Sequence, residues 1–123
     1  MKWIILAALS VLPVPVVAAD WAVHDGDVPL TRAELQALGG QSLIFFDDGE
    51  SRYFTGGGYS YTYSAKNGGA TAFGDYRIAD DGSICVLYRN GLSRCDYLVH
   101  SAARLVLIDE KGDRYPVRSA VKH

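Results

Sequence analysis

The chain has 123 residues, of which 49% are hydrophobic and two are cysteines, and its formal net charge is −2 at pH 7. A chain of this length builds one domain with a small core. Its acidic balance argues against nucleic acid as a partner, because general nucleic-acid binding needs a basic surface.

Residues 1–19 have the pattern of a cleaved export signal. Lys2 precedes an apolar run over residues 3–17, and Ala18-Ala19 fits the small-residue rule for signal peptidase. The run is too short and too interrupted by proline to predict a membrane span. We therefore expect cleavage after Ala19, a periplasmic or secreted protein, and no stable membrane insertion after cleavage.

The next segment, residues 20–29, lacks periodicity and is predicted to be an extended arm before a single β-rich domain at residues 30–123. One short helix is predicted at the start of that domain. Thr31 and Glu34 have the spacing of a capping box, and Leu35 and Leu38 share a helical face that should pack on the sheet.

From residue 41 onward the chain alternates apolar runs with Asp/Gly clusters at 47–49, 80–82 and 109–112. Each cluster is typical of a turn, since aspartate stabilises the turn locally and glycine accepts a positive φ. Short turns join antiparallel neighbours, so about eight short strands are predicted. We expect a small up-and-down β-barrel, either closed or half-open, whose interior is filled by side chains or holds one small ligand.

One predicted strand, residues 105–108, is apolar at every position. This pattern indicates a strand that is covered on both faces. The short helix is a plausible cover.

Cys85 and Cys95 flank an Asn90-Gly91 turn, which is a strong hairpin signal. A two-residue loop would point the two thiols to opposite faces of the sheet. A three-residue loop, residues 89–91, places the cysteines directly opposite each other, within the distance that a disulfide spans. We predict this loop and a cross-strand disulfide, which agrees with export to an oxidising compartment. Two free buried cysteines are the alternative.

Tyr59, Tyr61 and Tyr63 alternate with hydroxyl residues, so all three fall on one face of a strand. Glycines at 56–58 and 68–69 flank the strand and predict flexible connections. A row of tyrosines offers stiff, amphipathic contact area for a sugar, an aromatic ligand or a protein partner. The alternative is that these tyrosines line the core.

No catalytic motif is present in the sequence. The three histidines have no metal-ligand spacing, and there is no Gly-x-Ser-x-Gly elbow. The paired aspartates at 47–48 and 80–81 are accounted for by turns, although a carboxylate pair for glycoside cleavage stays open. We therefore predict no enzyme activity, no catalytic residues, no metal and no cofactor.

The order of several short motifs resembles a family of small exported bacterial proteins of unknown function, of the alphaproteobacterial type. The motifs are Leu30-Thr31-x-x-Glu34-Leu35, Tyr53-Phe54-Thr55-Gly56, Gly74-Asp75-Tyr76-Arg77-Ile78, Cys85 and Cys95. The family usually has tryptophan where this chain has Tyr76. The resemblance implies an exported domain with a two-cysteine hairpin, and it implies no activity.

Taken together, these patterns predict a monomeric, non-catalytic binding module for a small envelope molecule or a protein partner. The predicted contact is the row Tyr59, Tyr61 and Tyr63. Two alternatives remain at this point: a structural or stress-related envelope protein without a discrete site, and a small hydrolase.

Overall fold

The computed structural model describes residues 21–123, so the predicted signal segment, residues 1–19, lies outside the described residues. The elements are β1 (Asp27–Pro29), α1 (Arg32–Gln36), β2 (Gln41–Phe45), β3 (Glu50–Tyr53), β4 (Gly58–Thr62), β5 (Thr71–Ile78), β6 (Ile84–Tyr88), β7 (Ser93–Ser101), β8 (Arg104–Ile108) and β9 (Arg114–Lys122). A 3-10 turn, Ala65–Asn67, lies between β4 and β5. None of the helical segments in residues 21–123 has the length and apolar character needed to cross a membrane.

Strands β2 to β9 form a closed, eight-stranded antiparallel barrel. Each strand pairs with its neighbour in sequence, and β2 pairs with β9 to complete the circle. Strand β7 is shared between its two neighbours along its length: residues 93–96 pair with β6, and residues 97–101 pair with β8. The barrel prediction is confirmed, and of its two forms the closed one is found.

The predicted three-residue hairpin loop is confirmed. The Tyr88 N–H donates to the Leu92 carbonyl at 2.8 Å, and Gly91 has the left-handed φ of 90° that this loop requires. Cys85 therefore pairs with Cys95, and the two form a disulfide with their Cα atoms 4.0 Å apart.

Helix α1 carries the predicted capping box between Thr31 and Glu34 and ends at Gln36. Leu35 and Leu38 are buried in the main core inside the barrel. The segment 30–40 therefore covers the end of the barrel at which β2 begins, and it supplies apolar side chains to the interior.

Strand β8 is covered on both faces, as its composition predicts. The helix shares the core cluster inside the barrel with Leu105 and Leu107 of this strand, whereas the outer face of β8 has a different cover. Its outer residues form a second core cluster with Val99, against which Trp21 and Tyr97 pack. The Trp21 ring stacks on Tyr97 with centroids 5.4 Å apart. The arm supplies this cover because Leu35 and Leu38 direct the helix into the barrel end instead.

The arm is fixed to the barrel by strand pairing and by an ion pair. Strand β1 pairs with β7 at residues 99–101, which lie beyond the end of the β6 pairing. The carboxylate of Asp27 accepts two hydrogen bonds from Arg114, at 2.8 and 3.1 Å. This bidentate pair holds the pKa of Asp27 well below its usual range.

Candidate functional site

A cavity of about 280 Å³ opens at the end of the barrel opposite the helix. We call this end the mouth; it is formed by the connections at 46–49, 63–70, 89–92 and 109–113. The described residues that line the cavity are aromatic and aliphatic side chains, four aspartates and one arginine. Ligand cavities characteristically combine an apolar wall with a few placed polar groups.

Arg94, which points inward from β7, is the centre of a hydrogen-bond network in the mouth cavity. Its Nε donates to Asp96 Oδ2 at 2.9 Å, its Nη1 to the Tyr88 hydroxyl at 2.6 Å, and its Nη2 to the Tyr59 hydroxyl at 2.9 Å. The Tyr59 hydroxyl lies 2.8 Å from the Ser51 hydroxyl. The guanidinium is therefore fixed by three side chains, although 33% of the Arg94 side chain is still exposed.

Asp96 lines the same cavity and is only 1% exposed. Its Oδ1 has no hydrogen-bond partner among residues 21–123. Burial raises the pKa of Asp96, the Arg94 charge opposes that rise, and the nearby charges of Asp109 and Glu110 add to it. A buried acceptor without a partner costs about 1–3 kcal/mol, so this oxygen marks a place where a donor would be stabilised.

The tyrosine row runs from the core to the mouth along the inner face of β4, and Tyr63 lies directly after the end of that strand. Tyr59 is 1% exposed and belongs to the core, Tyr61 is half-buried, and Tyr63 is 45% exposed. Tyr61 and Tyr63 both line the cavity and meet edge to face, with centroids 5.0 Å apart. Ligand contact by this row stays a prediction. Tyr59 accepts a hydrogen bond from Arg94 and is not among the residues that line the cavity.

The hydroxyl of Tyr61 is anchored to the β2–β3 turn. It donates to the Asp48 carbonyl at 2.9 Å, while Asp48 Oδ1 accepts the Ser64 N–H at 2.8 Å. Burial, together with the charge of Asp48, raises the pKa of Tyr61 to about 12. Tyr61 therefore keeps its proton at neutral pH, and two of the mouth connections are tied to each other.

Tyr115 and Asp109 complete the wall on the side of β8 and β9. The Tyr115 hydroxyl donates to Asp109 Oδ2 at 3.2 Å, and Asp109 Oδ1 accepts the N–H groups of Lys111 and Asp113 within its turn. Burial and the Asp109 charge raise the pKa of Tyr115. Asp109 thus forms the turn and also contributes negative charge to the cavity.

Sequence reasoning missed Arg94, Asp96 and Tyr115 as site residues. A signal for the first two was present. Successive strand residues point to opposite faces, so the register that pairs Cys85 with Cys95 places Arg94 and Asp96 together on the other face. A charged pair on the inner face of a small barrel indicates a polar site.

Comparison of the chain with protein-family models, with curated proteins and with solved structures found no match. The family resemblance stays a prediction. Within residues 21–123, no group of three or more His, Cys, Asp or Glu side chains is arranged to hold a metal ion.

Proposed function

We propose that the protein is a non-catalytic binding module that holds one small organic molecule in the mouth cavity. The observation that carries the proposal is Asp96, a buried carboxylate with an unpartnered oxygen, beside a guanidinium whose orientation is fixed. Folding tolerates such an arrangement at a cost in stability, and binding sites are where that cost is offset by function. Eight-stranded barrels are wide enough to hold one small ligand.

Binding is favoured over catalysis by the state of the ionisable groups. Asp96 Oδ2 is engaged by Arg94, and the Arg94 charge opposes the rise in the pKa of Asp96 that burial causes. The pKa values of Tyr61, Tyr88 and Tyr115 are all raised, chiefly by burial. These tyrosines stay protonated at neutral pH and serve as hydrogen-bond donors and ring surfaces.

The proposed site of action is an oxidising compartment outside the cytoplasm. The Cys85–Cys95 disulfide supports this assignment, and so does the export signal predicted at residues 1–19. A module of this kind would meet small molecules of the cell envelope.

The test is a fragment screen by ligand-observed NMR on the purified, oxidised protein. Tyr63→Ala removes an exposed ring from the cavity, and Phe73→Ala is its matched control, because Phe73 is 47% exposed and lies on the outer wall. We expect fragments that bind the wild-type and Phe73→Ala proteins and bind Tyr63→Ala weakly. Hits that are equally retained by both variants, or no hits at all, would contradict the proposal.

A second candidate, binding of a protein partner, is favoured by exposed apolar side chains on the outer wall of β5 and β6 and in the following hairpin. Phe73, Leu87 and Leu92 are 47%, 57% and 67% exposed. Capture on the immobilised protein that is lost on Leu87→Ser and kept on Tyr63→Ala would favour this candidate.

A further inference from the structure

The balance of charge in the mouth cavity is negative. Its lining contains Asp47, Asp48, Asp96 and Asp109, and Arg94 is the one cationic side chain among the described residues of that lining. Three of the five N–H groups of Arg94 donate to protein oxygens, one each from Nε, Nη1 and Nη2. An anionic ligand would therefore meet four carboxylates and a single guanidinium that already donates to three protein oxygens.

The pKa values of neighbouring groups reflect this negative charge. Beyond the effect of burial, the charge of Asp48 raises the pKa of Tyr61, and the charges of Asp109 and Asp96 raise that of Tyr115. Hydrogen bonds from Ser64 lower the pKa of Asp48, and the Lys66 charge also contributes. Asp48 is thus held ionised with its own hydrogen-bond donors and a nearby lysine, whereas on the other side Asp109 adds its charge to that of the Arg94–Asp96 pair.

Aromatic rings surround the same space. Tyr61, Tyr63, Tyr115 and Phe45 contribute to the wall, and a ring face attracts a cation that lies within about 6 Å of its centroid. A volume of about 280 Å³ falls just below the usual range of about 300–1,000 Å³ for small-molecule sites, so the occupant is small. Negative charge and ring faces together are the features that recognise an organic ammonium group.

We propose that the mouth cavity selects a small organic cation, namely an ammonium group that carries a short aromatic or alkyl chain, with the ammonium directed to the side of Asp96 and Asp109. This inference rests on the proposed function of the cavity. The unpartnered Asp96 Oδ1 provides the acceptor for an N–H donor, and the rings next to the opening receive the apolar part. Such a group occurs in a free amine and in a lysine side chain.

The test is isothermal titration of the oxidised protein with three probes of nearly equal shape: phenethylammonium, 2-phenylethanol and phenylacetate. We expect the ammonium to bind about tenfold or more tightly than the alcohol, since one charge near a carboxylate and a ring face contributes on the order of 1–2 kcal/mol, and phenylacetate to bind most weakly. A fourth probe, N-acetyl-lysine methylamide, separates the two sources of the ammonium group. Weaker binding of this probe than of phenethylammonium assigns the site to a free amine.

Two charge-removing variants give a matched comparison. Asp47 is exposed at the cavity opening, and Asp75 is exposed on the outer wall. Asp47→Asn should weaken binding of phenethylammonium by about twofold to threefold, as expected for one partly screened charge. Asp75→Asn should leave it unchanged, and neither substitution should alter the binding of 2-phenylethanol.

The outcomes separate the inference from the proposed function. Binding of all three probes with equal affinity, or a preference for phenylacetate, would overturn the cation selectivity and leave a small-molecule site in place. Failure of phenethylammonium to bind, with neutral or anionic hits in the fragment screen, would do the same. If the fragment screen is also empty, both the inference and the proposed function are wrong.

Discussion

Replacing Arg94 by methionine is the sharpest perturbation of the mouth. Methionine keeps an unbranched stem and removes the guanidinium, so Asp96, Tyr59 and Tyr88 each lose a donor. The Tyr59 hydroxyl keeps its contact with Ser51. Asp96 is the residue most affected, because its Oδ1 has no partner among the described residues to begin with.

The size of the expected destabilisation follows from the loss of the Arg94 guanidinium. Removing one partner of a buried ion pair costs about 3–5 kcal/mol, because the other charge stays buried. The Arg94 side chain is 33% exposed, so water replaces part of the lost interaction. We therefore expect Arg94→Met to lower the free energy of unfolding by about 3 kcal/mol, at the lower end of that range.

The destabilisation caused by Arg94→Met should depend on pH in a defined direction. Asp96 has a pKa raised in the folded protein, so the stability that its protonated form contributes is present below the unfolded pKa and is lost as the pH rises through the folded pKa. Arg94 opposes this rise, whereas Asp109 and Glu110 add to it. Without Arg94 the folded pKa is higher still, so the destabilisation should grow with pH by up to about 1.4 kcal/mol per unit and be smallest in acid.

Urea unfolding of the oxidised protein at about pH 4 and about pH 7 measures both effects. The double variant Arg94→Met/Asp96→Leu removes both charges and should recover about 2 kcal/mol of the loss at neutral pH. Strictly additive single and double variants, or a loss for Arg94→Met below about 1 kcal/mol at both pH values, would refute the reasoning.

Three further predictions concern the rest of the fold. Cys85→Ser should lower the free energy of unfolding by about 2.5–3 kcal/mol, from the chain entropy of the loop that the disulfide closes, and an unchanged melting temperature under oxidising conditions would contradict this. Gly49→Ala should lower the free energy of unfolding, measured with urea, by more than about 2 kcal/mol, about twice the cost of Gly56→Ala. Both glycines have positive φ, but a Cβ added at Gly49 would clash with β4, whereas a Cβ added at Gly56 would have no neighbour within 4 Å. Asp27→Asn should reduce the loss of stability in acid, because the depressed pKa of Asp27 beside Arg114 contributes stability that is present above the unfolded pKa and lost as the pH falls. Equal acid transitions in the two proteins would exclude this role.

The barrel could be predicted from the sequence because short segments of the chain determine its hairpins and its helix. Each hairpin carries its own turn chemistry, and the loop before Leu92 sets the register that joins Cys85 to Cys95. The capping box of α1 is likewise encoded within four residues, Thr31 to Glu34. The alternatives of a closed or half-open barrel could not be separated, because closure depends on pairing between β2 and β9, which are distant in sequence.

The candidate site could not be predicted from the sequence in the same way. The alternation of Tyr59, Tyr61 and Tyr63 predicts a shared face, but their exposure changes from buried to open along one strand as the row approaches the mouth. Arg94 and Asp96 follow from the disulfide register only once the face that points inward is known. That choice is made by the packing of the whole barrel, and two-residue periodicity gives no preference between the faces.

A ligand site in the mouth cavity is tested most directly by a map of backbone amide chemical shifts during titration with phenethylammonium. We expect the largest changes at the mouth, at Tyr61, Tyr63, Arg94, Asp96 and Asp109, with little change on the outer wall. Changes that cluster on the outer wall of β5 and β6, or that are spread evenly over the barrel, would contradict a ligand site in the mouth cavity.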